Sequence, residues 1–74
     1  MYLYIIRYKI SLFSHSHFTD EDFCRKDFFY LRKNDPKEFI VDRYELVGGK
    51  FINPYYSYHE KWLKNDEEAN ETSV

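Results

Sequence analysis

The chain is short of the residues that staple and punctuate small proteins. Its 74 residues hold one cysteine, one alanine, two glycines and two prolines. One cysteine can form no internal disulfide, which excludes a disulfide-built toxin or growth-factor scaffold. A lone thiol fits a reducing interior, so we expect a cytoplasmic protein. No apolar run approaches the roughly 20 residues a bilayer-crossing helix needs. The apolar start, residues 1–13, is interrupted by Arg7 and Lys9. A secretory leader carries its charge before the apolar run and ends in small residues, so this segment is not expected to be one. The two glycines are adjacent, Gly48-Gly49, without the Lys and Ser/Thr of a phosphate loop.

What is abundant is aromatic. Eight Tyr, seven Phe and one Trp make up 22% of the chain. A chain this short buries only about 60% of its unfolded surface. Its core supplies no more than about 3–5 kcal/mol without a staple, so one domain is the upper bound. The net charge of −2 is uneven. Residues 65–74 carry Asp66, Glu67, Glu68 and Glu71 and no base, and the remainder is nearly balanced. No basic stripe marks a nucleic-acid-binding face.

Residues 2–13 alternate strictly, which predicts a strand. Tyr2, Tyr4, Ile6, Tyr8, Ile10 and Leu12 share one face; Leu3, Ile5, Arg7, Lys9 and Ser11 share the other. The second face predicts cover near Leu3 and Ile5 and solvent near Arg7 and Lys9. Residues 14–18 (Ser-His-Ser-His-Phe) break the alternation and read as a loop. Thr19 followed by Asp20, Glu21 and Asp22 reads as a capped helix start. Cys24, Phe28 and Leu31 then recur at helical spacing, giving a helix over about 20–33. Asn34-Asp35-Pro36 is a break. Residues 39–47 read as a strand joined by Gly48-Gly49 to a second at 50–52, a hairpin whose turn needs positive φ at both glycines. A helical reading of 39–47 is the rival. Asn53-Pro54 reads as an N-cap with proline at the first helical position. Tyr55, Tyr58, His59, Trp62 and Leu63 then form a helical stripe over 54–65. Residues 66–74 read as a disordered acidic tail.

His15, His17, Cys24 and His59 are the only soft metal ligands, and a zinc site needs about four such groups converging. Their spacing matches no established zinc pattern, and Cys24 equally suits an apolar helix face. Cys24 with His15 or His17 would be the one nucleophile–base pair, but no oxyanion-forming glycine loop accompanies it. The expectation is therefore no enzyme, no cofactor and no metal. Tyr4, Tyr8, Arg7, Lys9 and Arg43 could stack single-stranded nucleic acid. Tyr55, Tyr56, Tyr58 and Trp62 form the densest aromatic cluster, more than one side of a 12-residue helix can bury. Tyr and Trp are enriched at interface hot spots.

The fold expected is α+β: a β-α-β-β-α domain over 1–65, with a three-stranded sheet covered by helices, and the tail at 66–74. If the first two of these strands are neighbours, the intervening helix makes them parallel. The first strand could lie at an edge and pair with a second copy as a homodimer. A short aromatic domain with no catalytic signature has the general look of small accessory proteins of phages or mobile elements from AT-rich bacteria. The expected function is accordingly binding and inhibition of a host protein, away from membranes. Tyr55, Tyr56, Tyr58 and Trp62 would be anchors, and Arg7, Lys9 and Arg43 would steer. A small nucleic-acid-binding regulator is the alternative.

Overall fold

A computed structural model describes residues 1–11 and 13–64. The elements run β1 (Tyr2–Tyr8), β2 (Ser14–Phe18), α1 (Glu21–Asn34), β3 (Phe39–Val47) and β4 (Lys50–Tyr55). Residues 59–64 are helical again and are called α2 here. The four strands form one antiparallel sheet in the order β2-β1-β3-β4. The α+β class stands, but the sheet has four strands instead of three.

The fourth strand is β2, where the sequence suggested a loop. Its Ser-His-Ser-His segment pairs with β1 through Tyr4↔Phe18, Ile5↔His17 and Ile6↔Ser16. Backbone pairing holds it there, helped at its end by Phe18, which packs against the core. This hairpin reverses the chain before α1 begins. Consequently β1 and β3 are antiparallel neighbours, with Ile6 opposite Val41, and not the parallel pair the crossover rule suggested. It also places β1 inside the sheet. The first strand has no free edge, so a homodimer cannot form by adding a strand to it; the edges are β2 and β4.

β1 stops at Tyr8, because Lys9 and Ile10 form a turn and Ile10 is almost wholly exposed. Helix α1 is capped by Asp20, one residue beyond the expected Thr19. The Asp20 carboxylate accepts from the backbone N–H groups of Asp22 and Phe23. Glu21 and Asp22 then sit at the positive end of the helix dipole, and Arg32 and Lys33 at the negative end. Pro36 forces extended backbone on Asp35, which ends the helix.

The 39–47 hairpin forms as read, with φ of +56° at Gly48 and +76° at Gly49. The segment after it differs. Residues 53–55 continue β4, and the helix begins only at residue 59, not at 54. Between Arg43↔Tyr55 and Glu45↔Ile52 one extra residue is accommodated on β4. Asn53 takes it up at φ +51°, a bulge conformation asparagine tolerates. Proline is compatible with an edge strand at such a bulge.

Tyr4, Ile6, Phe39 and Val41 from the sheet, Cys24 and Phe28 from α1, and Tyr58 and Trp62 from the C-terminal segment make the core. Both helices therefore lie on one face of the sheet. The expected tail, 66–74, lies outside the described residues.

Candidate functional site

Alternation assigns the other face of the sheet. Leu3, Ile5 and Arg7 of β1 point away from the core, as do Ile40, Asp42, Tyr44 and Leu46 of β3. Leu3 lies opposite Tyr44, Ile5 opposite Asp42, Arg7 opposite Ile40, and Leu46 opposite Phe51 of β4. None of Leu3, Ile5, Ile40, Tyr44 and Leu46 belongs to the core or packs against it. All five are half-buried among their strand neighbours, and Phe51 and Tyr56 are exposed. No described helix covers this face, contrary to the expectation of cover over Leu3 and Ile5. An antiparallel sheet with one wet face normally places polar residues there. Here the outward positions are largely aliphatic and aromatic.

One ion pair sits in this face. Arg7 Nε donates to Asp42 Oδ2 at 2.5 Å. Asp42 Oδ1 accepts the backbone N–H of Ser57 at 3.0 Å. Asp42 is only 3% exposed, so its charge is fully committed. The expected solvation of Arg7 is thus replaced by pairing. Burial, followed by the nearby Asp42 charge, raises the Tyr44 phenol above its ordinary pKa.

The exposed edge of β3 beyond β4 is closed by the C-terminal segment. Tyr58 N–H donates to Val41 O at 2.7 Å. Val41 N–H donates to His59 Nδ1 at 3.2 Å. An imidazole ring thus stands where a neighbouring strand would offer a carbonyl. The bond requires an unprotonated Nδ1, so the neutral ring carries its hydrogen on Nε2.

The residues proposed as anchors separate into two groups. Tyr58 and Trp62 are 6% and 4% exposed and belong to the core, so neither can reach a partner. Only His59, Trp62 and Leu63 of the stripe lie on α2, because Tyr55 ends β4 and Tyr56 and Tyr58 lie in the turn between them. Tyr56 is 61% exposed and Tyr55 39%. The steering residues divide as well. Arg7 is spent on Asp42, and Lys9 pairs with Glu38 at 3.0 Å on the surface. Arg43 lies on the helix-bearing side, with its guanidinium carbon 4.1 Å from the Tyr2 ring centre and 4.8 Å from that of Tyr58. The Tyr4, Tyr8, Arg7, Lys9 and Arg43 set is therefore not one nucleic-acid-binding surface: Tyr4 is core, and Arg7 and Arg43 face opposite ways.

His15, His17, Cys24 and His59 do not converge. His15 stacks on Tyr8 and Phe39, His17 bonds Ser14, and His59 holds Val41. Among the described residues, no three His, Cys, Asp or Glu side chains form a group suited to a metal. Cys24 is buried in the core, and burial, followed by the charges of Asp27 and Glu21, pushes its thiol up to about 12. Such a thiol is the opposite of an activated nucleophile.

Among the described residues, no helix is long and apolar enough to cross a membrane. Comparison of the chain with protein-family models, with curated proteins and with solved structures found no match.

The residues that single out the helix-free face, Leu3, Ile5, Ile40, Tyr44, Leu46 and Phe51, were legible only as alternation. Both faces of β1 and β3 begin apolar, so the pattern alone could not say which face the helices cover.

Proposed function

We propose that this protein is a non-enzymatic protein-binding module that presents the helix-free face of its sheet to a partner. The observation that carries this is the outward run of Leu3, Ile5, Ile40, Tyr44 and Leu46, joined by Phe51 and Tyr56, none of it packed on the core. Single exposed apolar residues are ordinary, whereas a contiguous patch marks an interaction surface.

The charge on this face selects the class of partner. Arg7 and Asp42 neutralise each other, so the patch offers no net charge to phosphates. Around that pair the patch is largely aliphatic, whereas single-stranded nucleic acid needs aromatic platforms flanked by free cations. The fitting occupant is a foreign protein with an apolar, weakly charged surface. Covering that surface would block whatever else uses it, which is inhibition by occlusion. A lone free cysteine suits action inside a cell. The compositional likeness to phage and mobile-element accessory proteins makes host-cell proteins the first targets to search.

The test is affinity capture on the immobilised full chain, with Leu46→Asp and Phe51→Asp as variants. Phe23→Asp, on the exposed side of α1, is the control, and circular dichroism checks each fold. The reading expects a captured protein that survives high salt and nuclease, is lost with both sheet-face variants and is kept by the control. Capture indifferent to Leu46 and Phe51, or removed by nuclease, overturns it. Self-association abolished by the same variants, read by sedimentation, makes the occupant a second copy and also overturns the foreign-partner reading.

A further inference from the structure

A second surface, on the helix-bearing side, has a different chemistry. Arg43 and Lys61 share two tyrosine rings. The Arg43 guanidinium carbon is 5.5 Å from the Tyr55 centre and 4.8 Å from that of Tyr58. Lys61 Nζ is 4.8 Å and 5.4 Å from the same two centres. The two cations therefore lie within about 10 Å of each other, a limit set by their distances to one ring. Arg43 also rests 4.1 Å from the Tyr2 ring, so its planar group is held by aromatics on several sides.

Neither cation has a carboxylate partner among the described residues. The neighbouring acids are engaged elsewhere. Glu21 Oε1 accepts the Tyr4 and Tyr58 hydroxyls, and Glu45 Oε2 accepts Asn53 Nδ2. Two positive charges are left on a shared aromatic bed that is open to solvent. Tyr2 is 37% exposed, Lys61 is exposed and Arg43 is half-buried. Arg43 also hydrogen-bonds the Tyr58 hydroxyl; its remaining N–H donors, on a group already held by rings, lose little entropy on engaging a carboxylate.

We propose that Arg43 and Lys61, bedded on Tyr2, Tyr55 and Tyr58, form a site for an acidic peptide segment. Alternate side chains of an extended strand stand roughly 6–7 Å apart, within the reach of these two cations. Carboxylates at positions i and i+2 would engage Arg43 and Lys61 together. Nucleic acid is the less fitting ligand, because two isolated cations supply little of the phosphate neutralisation that drives such binding. This site stands apart from the helix-free face, since Arg43 and Phe51 point to opposite sides of the sheet.

The test is NMR titration of the full chain with a capped Ser-Glu-Ser-Glu-Ser peptide, its Gln-for-Glu counterpart, inorganic phosphate and a short single-stranded oligonucleotide. The chain's own Asp66, Glu67, Glu68 and Glu71 share the ligand chemistry. A second version with these four changed to amides is titrated in parallel, so that self-occupancy cannot conceal the site. The Glu peptide is expected to shift the Tyr2, Tyr55, Arg43 and Lys61 signals in at least one version, and the Gln peptide to leave them still. Arg43→Gln or Lys61→Gln is expected to weaken binding by about tenfold or more, the loss of one charge-assisted contact. Phe51→Asp is expected to leave it unchanged. Equal shifts from the Glu and Gln peptides, or no binding in either version, overturn the proposal. Tighter binding of phosphate or oligonucleotide overturns it in favour of a phosphate site.

Discussion

Arg7 and Asp42 meet across β1 and β3 on the side of the sheet that carries no helix, Nε to Oδ2 at 2.5 Å. The pair does two jobs at once. It neutralises the centre of the apolar face, and through Asp42 Oδ1 it fastens Ser57, the residue that turns the chain from β4 toward α2. Removing one member of a buried pair leaves the other uncompensated.

Asp42→Ala should therefore be the most damaging single change on this face. It strands the Arg7 guanidinium and the Ser57 N–H together. We expect a loss of about 3 kcal/mol, at the lower end for a broken buried pair because Arg7 remains partly solvated. A domain of this size holds about 3–5 kcal/mol in all. Urea unfolding should place Asp42→Ala near its midpoint in buffer. Asp42→Asn, which can still accept from Ser57, should retain about half of the loss. Equal midpoints for wild type and Asp42→Ala would sink this account.

The Gly48-Gly49 turn supplies a second prediction. Both residues have positive φ, and a Cβ at either would meet nothing within 4 Å. The cost of a substitution is then conformational and not steric. Gly49→Val should destabilise by about 1–2 kcal/mol, as a β-branched residue is forced into the left-handed region. Gly48→Asn should cost only a few tenths, since asparagine tolerates that region in such turns. Thermal unfolding of the two variants measures the difference, and equal shifts would contradict it.

The same turn shows where the fold was legible. Gly-Gly suits a hairpin turn or a helix C-cap, and the β-branched and aromatic Phe39–Val41 decided for the hairpin. Helix α1 was legible for a similar reason, through acids at its start, Cys24 and Phe28 one turn apart, and bases at its end. β2 was not, because Ser14–Phe18 carries no apolar alternation and exists by pairing with β1. Missing it inverted the direction of β3 relative to β1 and put β1 at an edge. Asn53-Pro54 misled because the same dipeptide suits a helix start and a bulged edge strand. Only the register against β3, which is tertiary, separates the two. For the site, sequence pattern grouped Ile40, Tyr44 and Leu46 correctly but could not tell that the helices avoid them. Tyr58 and Trp62 looked like anchors because a stripe of rings reads alike whether it faces a core or a partner.

Alkaline pH gives a third prediction. Burial, followed by the charge of Glu21 and the hydrogen bond to it, raises the Tyr4 phenol from 10.0 to about 12. Burial, with the Glu21 hydrogen bond next, raises Tyr58 as well. Below pH 10 these phenols are protonated in both folded and unfolded chains, and their stabilising effect is complete. Between about 10 and 12 the unfolded chain gives up the Tyr4 proton and the folded one does not. Stability should fall there by up to about 1.4 kcal/mol per pH unit for each phenol held protonated. Tyrosine ionisation followed by ultraviolet absorbance should be biphasic, with a late phase coincident with loss of circular dichroism. Tyr4→Phe should make the fall with pH shallower, and an unchanged profile in that variant would refute the linkage.

The His59 ring makes a fourth prediction, at the acid end. Burial lowers its pKa below 6.5; the charges of Glu60 and Asp42 oppose this, and Arg32 adds to the lowering. A second proton would go onto Nδ1, the atom that accepts the Val41 N–H, and would break the closure of the β3 edge. The unfolded chain takes up that proton near pH 6.5, while the folded chain resists until lower pH. Stability from this group is therefore complete above 6.5 and declines as pH falls below it. Urea midpoints should drop between pH 7 and 5 in wild type. His59→Asn, whose side-chain carbonyl can accept from Val41 without titrating, should lower the midpoint at pH 7 but flatten its pH dependence. Nitrogen NMR of the wild-type ring should show the hydrogen on Nε2 at pH 7. Finding it on Nδ1 would refute the edge-closing bond, and an equally steep pH profile in His59→Asn would assign the acid sensitivity to another group.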